Sequence, residues 1–325
     1  MGRRRGVDGP TPGSERLATV ERPRPILDEF FACALDPTLS PDRIHRFHQS
    51  LRMWRTRWRV VRRLLPRGRR SKGDAVDRRT RRLARLVGEV RDLDVGLALL
   101  SEAVGTRGGG ATSRPLHRAR GRLTEVARTG RALLGAHLRA ELERGLPEEL
   151  ERLLEDRPIP RGSANGALEE ERRRGARRVH HAVRRARRRA SPRRLHHLRV
   201  VLRRFRLLEE FATELAGLPP PAPPRKIRDL LRVLGRLHDL EQLLRSPAFG
   251  PDLPVRGGVL RSIERLRTVR RAEARSAIED PGLRTTLRRW TGTVGEWDLP
   301  NVYEIPRFGD PERPLRRAEI LPSPP

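Results

Sequence analysis

Apolar residues recur in alternating steps of three and four from Ile44 through Phe47, Leu51, Trp54, Trp58, Val61 and Leu65. That spacing is one face of an α-helix, and so sustained a seam predicts burial against a core. Ser40-Pro41-Asp42 suits its start, because the serine can cap and proline fits the first turn, and Pro66-Arg67-Gly68 ends it. Similar seams predict helices over about 76–104, with Leu83, Leu86, Val90, Leu93, Leu97 and Leu100 inward, and over about 114–145. A polar fourth helix is predicted over about 167–190, and further helices over about 192–217, 224–246, 255–280 and 283–292. The glycine run 108–110, the proline run 219–224 and the Pro247–Pro254 stretch read as breaks. Alternation with period two is scarce, so the predicted class is all-α.

The order of motifs repeats. A first His/Arg helix is followed by Val87-Gly88-Glu89-Val90-Arg91-Asp92-Leu93-Asp94, and a second by Leu234-Gly235-Arg236-Leu237-His238-Asp239-Leu240-Glu241. The distance along the chain from His45 to His196 nearly equals that from Val87 to Leu234. A duplicated unit of about four helices follows, each unit a bundle. The predicted organisation is a mostly disordered tail over 1–39, a first four-helix half over 40–190, a second over 191–296 and a Pro-rich extended tail over 297–325. Gly88 and Gly235 fall inside helices, where glycine costs about 1 kcal/mol against alanine, so close helix packing is expected there.

Charge turns this repeat into a functional reading. The formal net charge is +31, and lysine occurs only at Lys72 and Lys226, so arginine carries nearly all of it. Such a charge penalises the compact state by self-repulsion and points to an anionic partner. His45, His48, Arg52 and Arg55 each follow a seam residue by one position, with Arg59 continuing the line. His196, Arg199, Arg203 and Arg206 follow Leu195, Leu198, Leu202 and Phe205 in the same way. One residue is about 100° around a helix, so each stripe borders the core seam and the two can face one cleft. Arg81 and Arg85 step along the next helix toward Asp92, and Arg228 and Arg232 toward Asp239. Asp92, Asp94 and Asp239 read as partners that fix arginine rotamers, not as catalysts.

Other chemistries find little support. His238-Asp239 has the look of a metal phosphohydrolase pair, but the matched place holds Arg91-Asp92, and His45 and His48 lie among arginines that repel a cation. No phosphate-cradling loop, nucleophile elbow or Cys-His pair stands out, so no enzyme, metal or cofactor is expected. His180, His181 and His197 read as surface or core-edge histidines. Nucleic acid is the default partner of a basic chain, and a nucleic-acid-binding or scaffold role stays open. However, aromatic residues make up 4% of the chain, and Phe47, Trp54, Trp58 and Phe205 fall on the seams, leaving little for base stacking. A membrane-surface helix needs exposed bulky apolar residues, which these seams use elsewhere. A polyanion without bases, inorganic polyphosphate, suits an arginine-lined groove best, with nucleic acid as a competitor. Cys33 is the single cysteine, the basic start has no apolar stretch behind it, and no run of eighteen apolar residues occurs. A soluble cytoplasmic protein is expected, and oligomeric state is left open.

The motif His196-x-x-Arg199-Val200-x-x-Arg203-Arg204-x-Arg206, with Val87-Gly88-x-x-Arg91-Asp92-Leu93-Asp94-Val95, resembles the CHAD (conserved histidine α-helical domain) family over roughly 40–290. The resemblance implies two four-helix bundles related by a pseudo-twofold axis, a basic central groove, and polyphosphate binding, often at bacterial polyphosphate granules. Carried over by motif, His45, Arg52 and Arg55 form the first stripe, and His196, Arg199, Arg203, Arg204 and Arg206 the second. Arg59 rests on helix spacing, while Arg81, Arg85 and Arg228 match basic positions on the family's second helices. His48 stands where an arginine is usual, so the first stripe is expected to strengthen at lower pH. Met53 replaces the counterpart of Arg204, and Leu207 stands where tyrosine is common. The Glu-x-Glu-x-Lys strand of a fused triphosphatase has no match, since Glu141-Leu142-Glu143 runs into Arg144-Gly145; the chain resembles the binding module alone.

Overall fold

The computed structural model describes residues 24–65, 67–105, 113–155, 161–215, 219, 221–246 and 258–292. All the regular structure among them is helical: α1 Arg24–Ala34, α2 Pro41–Val61, α3 Arg67–Gly105, α4 Ser113–Glu143, α5 Leu146–Glu155, α6 Arg161–Arg188, α7 Pro192–Leu215, α8 Arg225–Arg245, α9 Gly258–Glu279 and α10 Pro281–Thr291. The all-α class therefore holds. The Ser40 hydroxyl accepts from the Arg43 amide at 3.4 Å, which caps α2 as its sequence implies. The glycine run 108–110, the Pro247–Pro254 stretch and the tail over 297–325 lie outside the described residues, as does the N-terminal tail up to residue 23.

Two departures from the expected elements have physical causes. Residues 24–34, expected within a disordered tail, form α1, because Ile26, Leu27, Phe30, Cys33 and Ala34 share one face and bury it. The Phe30 ring meets Phe47 edge-on at 5.9 Å. Likewise α3 starts at Arg67, well before the expected 76, in a stretch with few apolar residues. Tertiary contacts hold it: Arg62 grips Asp74 through two bonds of 2.6 and 2.7 Å, and Gly73 gives up its side-chain space to Trp58. A Cβ on Gly73 would collide with the Trp58 ring.

Packing repeats in the same order in two sets of five helices. In the first, α1 packs on α2, α2 on α3, α3 on α4, and α5 on α3 and α4. In the second, α6 packs on α7, α7 on α8, α8 on α9, and α10 on α8 and α9. One apolar core runs from Ile26 to Leu150 through the first set, and another from Ala176 to Leu287 through the second. The packing divides the chain between α5 and α6, not at 190–191: α6, expected as the last helix of the first half, buries Ala176, Val179 and Val183 in the second core. This arrangement is compatible with a duplicated unit, with α1 and α6 in matched places.

The sets meet where α2 packs on α7 and α3 on α8. Leu100, Leu123, Leu240 and Leu243 make a third apolar cluster across that seam, and Val60, Leu208 and Phe211 a fourth. Ion pairs join the sets as well, Arg57 to Glu214 and Arg63 to Glu171. The stripe helices thus lie at the centre of the molecule.

Candidate functional site

The shared seam brings both stripes together. Each stripe residue sits one place past a buried one (Ile44, Phe47 and Leu51 in α2; Leu195, Leu198 and Leu202 in α7), so the cations line the edge of the contact. Burial and like charge both act against them. Arg52 faces Arg199 and Arg91, and its pKa is pushed down to about 10, chiefly by burial. Arg203 falls to about 9, again chiefly by burial, with Arg52, Arg199 and Arg91 adding repulsion. Arg199 is 5% exposed and also held below the usual range. All three stay charged at neutral pH, so the repulsion is carried by the folded protein.

Arg55 lies near Arg81 and Arg85 as well as Asp77, and Arg59 near Arg204, Arg55 and Arg178. Arg59 is driven down to about 10 by burial and those neighbours. Arg81 pairs with Asp77 one turn away, and Arg206 with Glu210 at 2.8 Å. Arg228 stays apart: it is exposed near the start of α8 and its side chain makes no ion pair among the described residues.

Two carboxylates lie among these arginines. Asp92 accepts from Arg91 and from Gln242 of α8, both at 3.1 Å, and its charge bears on Arg52 and Arg199. Asp239 lies among Arg199, Arg91 and Arg203, although burial raises its carboxyl above the ordinary value. Asp94 serves elsewhere. It accepts from Arg131 of α4, which also donates to the Leu39 carbonyl at 3.2 Å, so it ties α3 to the start of α2.

The histidines divide. His45 and His196 are exposed, and desolvation plus nearby arginines lower both. His48 is 7% exposed against Gly88, and burial among Arg52, Arg91 and Arg203 drives it down to about 2. The expectation that His48 strengthens the stripe at lower pH is thereby corrected, since it stays neutral through that range. His238, weighed as a metal ligand, stacks obliquely on His196 with Nδ1 atoms 3.2 Å apart and is also driven to about 2. Among the described residues, no group of three or more His, Cys, Asp or Glu could hold a metal ion.

A cleft of about 250 Å³ opens beside the contact on the α1 side, lined by Arg52, Arg57, Arg203, Arg206 and Glu210 together with Ile26, Met53, Trp54 and Leu207. A smaller one of about 40 Å³ lies on the other side, between Arg59, Arg178 and Arg204. Arg91, Arg178 and His238 join the site although the stripe spacing does not point to them. Arg91 had a signal in the Arg-Asp motif itself; Arg178 had none, because α6 is arginine-rich throughout. The geometry supplies fixed cations for several phosphoryl or other oxyanion groups at once. No helix among the described residues is long and apolar enough to cross a membrane.

Comparison with known proteins agrees with this architecture. No curated protein matches the chain. The crystal structure of the CHAD domain from the plant Ricinus communis superposes with a TM-score of 0.52 at 15% identity, covering 84% of this chain and 88% of that one. At that identity the likeness speaks for the fold alone. The family described as CHAD domain matches residues 29–246, a span that holds both stripes, both Asp-bearing motifs and the whole α2–α7 contact. The chain belongs to the CHAD domain family.

Proposed function

We propose that the protein binds inorganic polyphosphate, without turning it over, in the groove where α2 meets α7. The observation that carries this reading is the meeting of Arg52, Arg199 and Arg203 from two helices, with Arg91 beside them and more cations than carboxylates. Burial and mutual repulsion both disfavour their charge, a cost that a bound polyanion reverses. Guanidinium forks grip phosphoryl oxygens in pairs, and Asp92 and Asp239 keep the forks oriented. His45 and His196 add donors at the exposed edge. The same binding would place the protein on polyphosphate granules.

The aromatic residues favour a ligand without bases. Phe47, Trp54, Trp58 and Phe205 are all buried, so they offer no stacking platform for nucleotides. Titration with polyphosphate, RNA and duplex DNA of matched phosphate content, at about 150 mM salt, tests the reading, since salt decides such comparisons. Polyphosphate is expected to bind tightest, and the quadruple change of Arg52, Arg55, Arg203 and Arg206 to alanine to abolish the preference with helicity retained. Nucleic acid binding as tightly as polyphosphate would make net charge the whole explanation.

A further inference from the structure

The two flanks of the groove differ in charge. α1 and α6 occupy matched places, each packed on the stripe helix that follows it. On the α1 side, the outer-face arginines of α2 are paired: Glu29 takes Arg46 at 3.1 Å and Asp36 takes Arg43 at 3.2 Å. On the α6 side, no Asp or Glu occurs between Glu171 and Glu209, a stretch that covers most of α6 and the first two-thirds of α7. His197 occupies in α7 the place of Arg46 in α2. The titratable groups facing His197 among the described residues are Arg185, Arg204 and His181, and those facing His181 are Arg185, Arg184 and Arg188; burial and these arginines lower both imidazoles, so they serve as neutral donors beside the arginines.

This cluster is continuous with the groove. Arg204 lies near Arg55 and Arg178 of the groove and also near His197. The counterpart of Arg204 in α2 is Met53, and the counterpart of Arg59 in α7 is Glu210, which pairs with Arg206. So the cationic line runs on past Arg204 along the α6 flank, whereas on the α1 flank Arg52 and Arg203 open into a cleft walled by Ile26, Met53 and Leu207, where Arg206 and Arg57 are already paired with Glu210 and Glu214. Arg178 and Arg185 are two turns apart on α6, about 10 Å at 1.5 Å per residue, which is room for several phosphoryl groups. Arg185 and His197 are exposed, and the α7 residue Arg194 reaches back to the Arg185 carbonyl at 3.2 Å, fixing the two helices side by side.

We propose that a long polyphosphate chain leaves the groove on one flank only, running along the α6–α7 junction over His197, Arg185 and His181. This rests on the polyphosphate reading and adds to it a direction and a dependence on chain length. Short chains are held by the groove alone, and long chains by groove and track together.

The test compares tripolyphosphate with long-chain polyphosphate on the full chain, in wild type, in the triple variant His181→Gln, Arg185→Gln, His197→Gln, and in Arg46→Gln on the opposite flank. The triple variant is expected to bind long chains about tenfold more weakly, with a shallower salt dependence, and tripolyphosphate as before. Arg46→Gln is expected to change neither. A triple variant that loses both ligands equally, or neither, overturns the track while the groove stands. Equal losses of long-chain binding from the two flanks overturn its one-sidedness. A wild type that binds neither ligand overturns the groove and the track together.

Discussion

His45 and His48 stand one turn apart on α2 and answer differently to a proton. His48 and His238, both driven to about 2, stay neutral in the fold, whereas in the unfolded chain they protonate near the ordinary value of 6.5. Stability from this source is complete above that value and is lost as pH falls, by up to about 1.4 kcal/mol per pH unit for each histidine. Urea unfolding at a series of pH values should show the decline, and His48→Gln should remove about half of it, leaving the share of His238; a wild-type stability flat over the same window would contradict the burial argument. His45 and His196 are held down partly by arginines that a polyanion would neutralise. Polyphosphate binding is therefore expected to take up protons and to tighten as pH falls through the histidine range, as calorimetry in buffers of different ionisation enthalpy can read. The double variant His45→Gln, His196→Gln should bind tripolyphosphate, which the groove alone holds, with little pH dependence.

Helices α3 and α8 hold matched glycines that do different things. A Cβ on Gly88 would sit 3.7 Å from the His48 ring, an ordinary contact, and one on Gly235 would meet nothing. Close packing, expected at both, is thus present in mild form at Gly88 and absent at Gly235. Gly235→Ala should stabilise the protein by up to about 1 kcal/mol through helix propensity. Gly73→Ala should cost about 1–3 kcal/mol or more, because the buried Trp58 ring has no room to retreat. Denaturant midpoints of the two variants should move in opposite directions. The α3 start was illegible in sequence for the same reason: its stabilising partners, Trp58 and Arg62, belong to another element.

At the scale of the molecule, two apolar cores are joined by shared clusters and by the Arg57–Glu214 and Arg63–Glu171 pairs, under a net charge of +31. Thermal unfolding is expected as one transition, whose midpoint rises modestly with added sodium chloride and more with tripolyphosphate, since the first screens repulsion and the second binds the folded state. Two separated transitions would show that the seam does not couple the sets.

Periodicity alone determined the helical class, most of the helices, the repeated order of motifs and the two stripes bordering their seams, because a helix converts local spacing directly into faces. It left α1 unread, although Ile26, Leu27, Phe30 and Cys33 carry helical spacing, since the Gly- and Pro-rich residues before them dominated the reading. Only the tertiary structure decided that α6 belongs with α7, that Asp94 serves Arg131, that His48 is buried and silent, and that Arg91 and His238 stand among the stripe cations. Each of these depends on which faces meet across the α2–α7 and α3–α8 contacts. Pairing across that distance is set by packing of whole elements, which no spacing within one helix encodes.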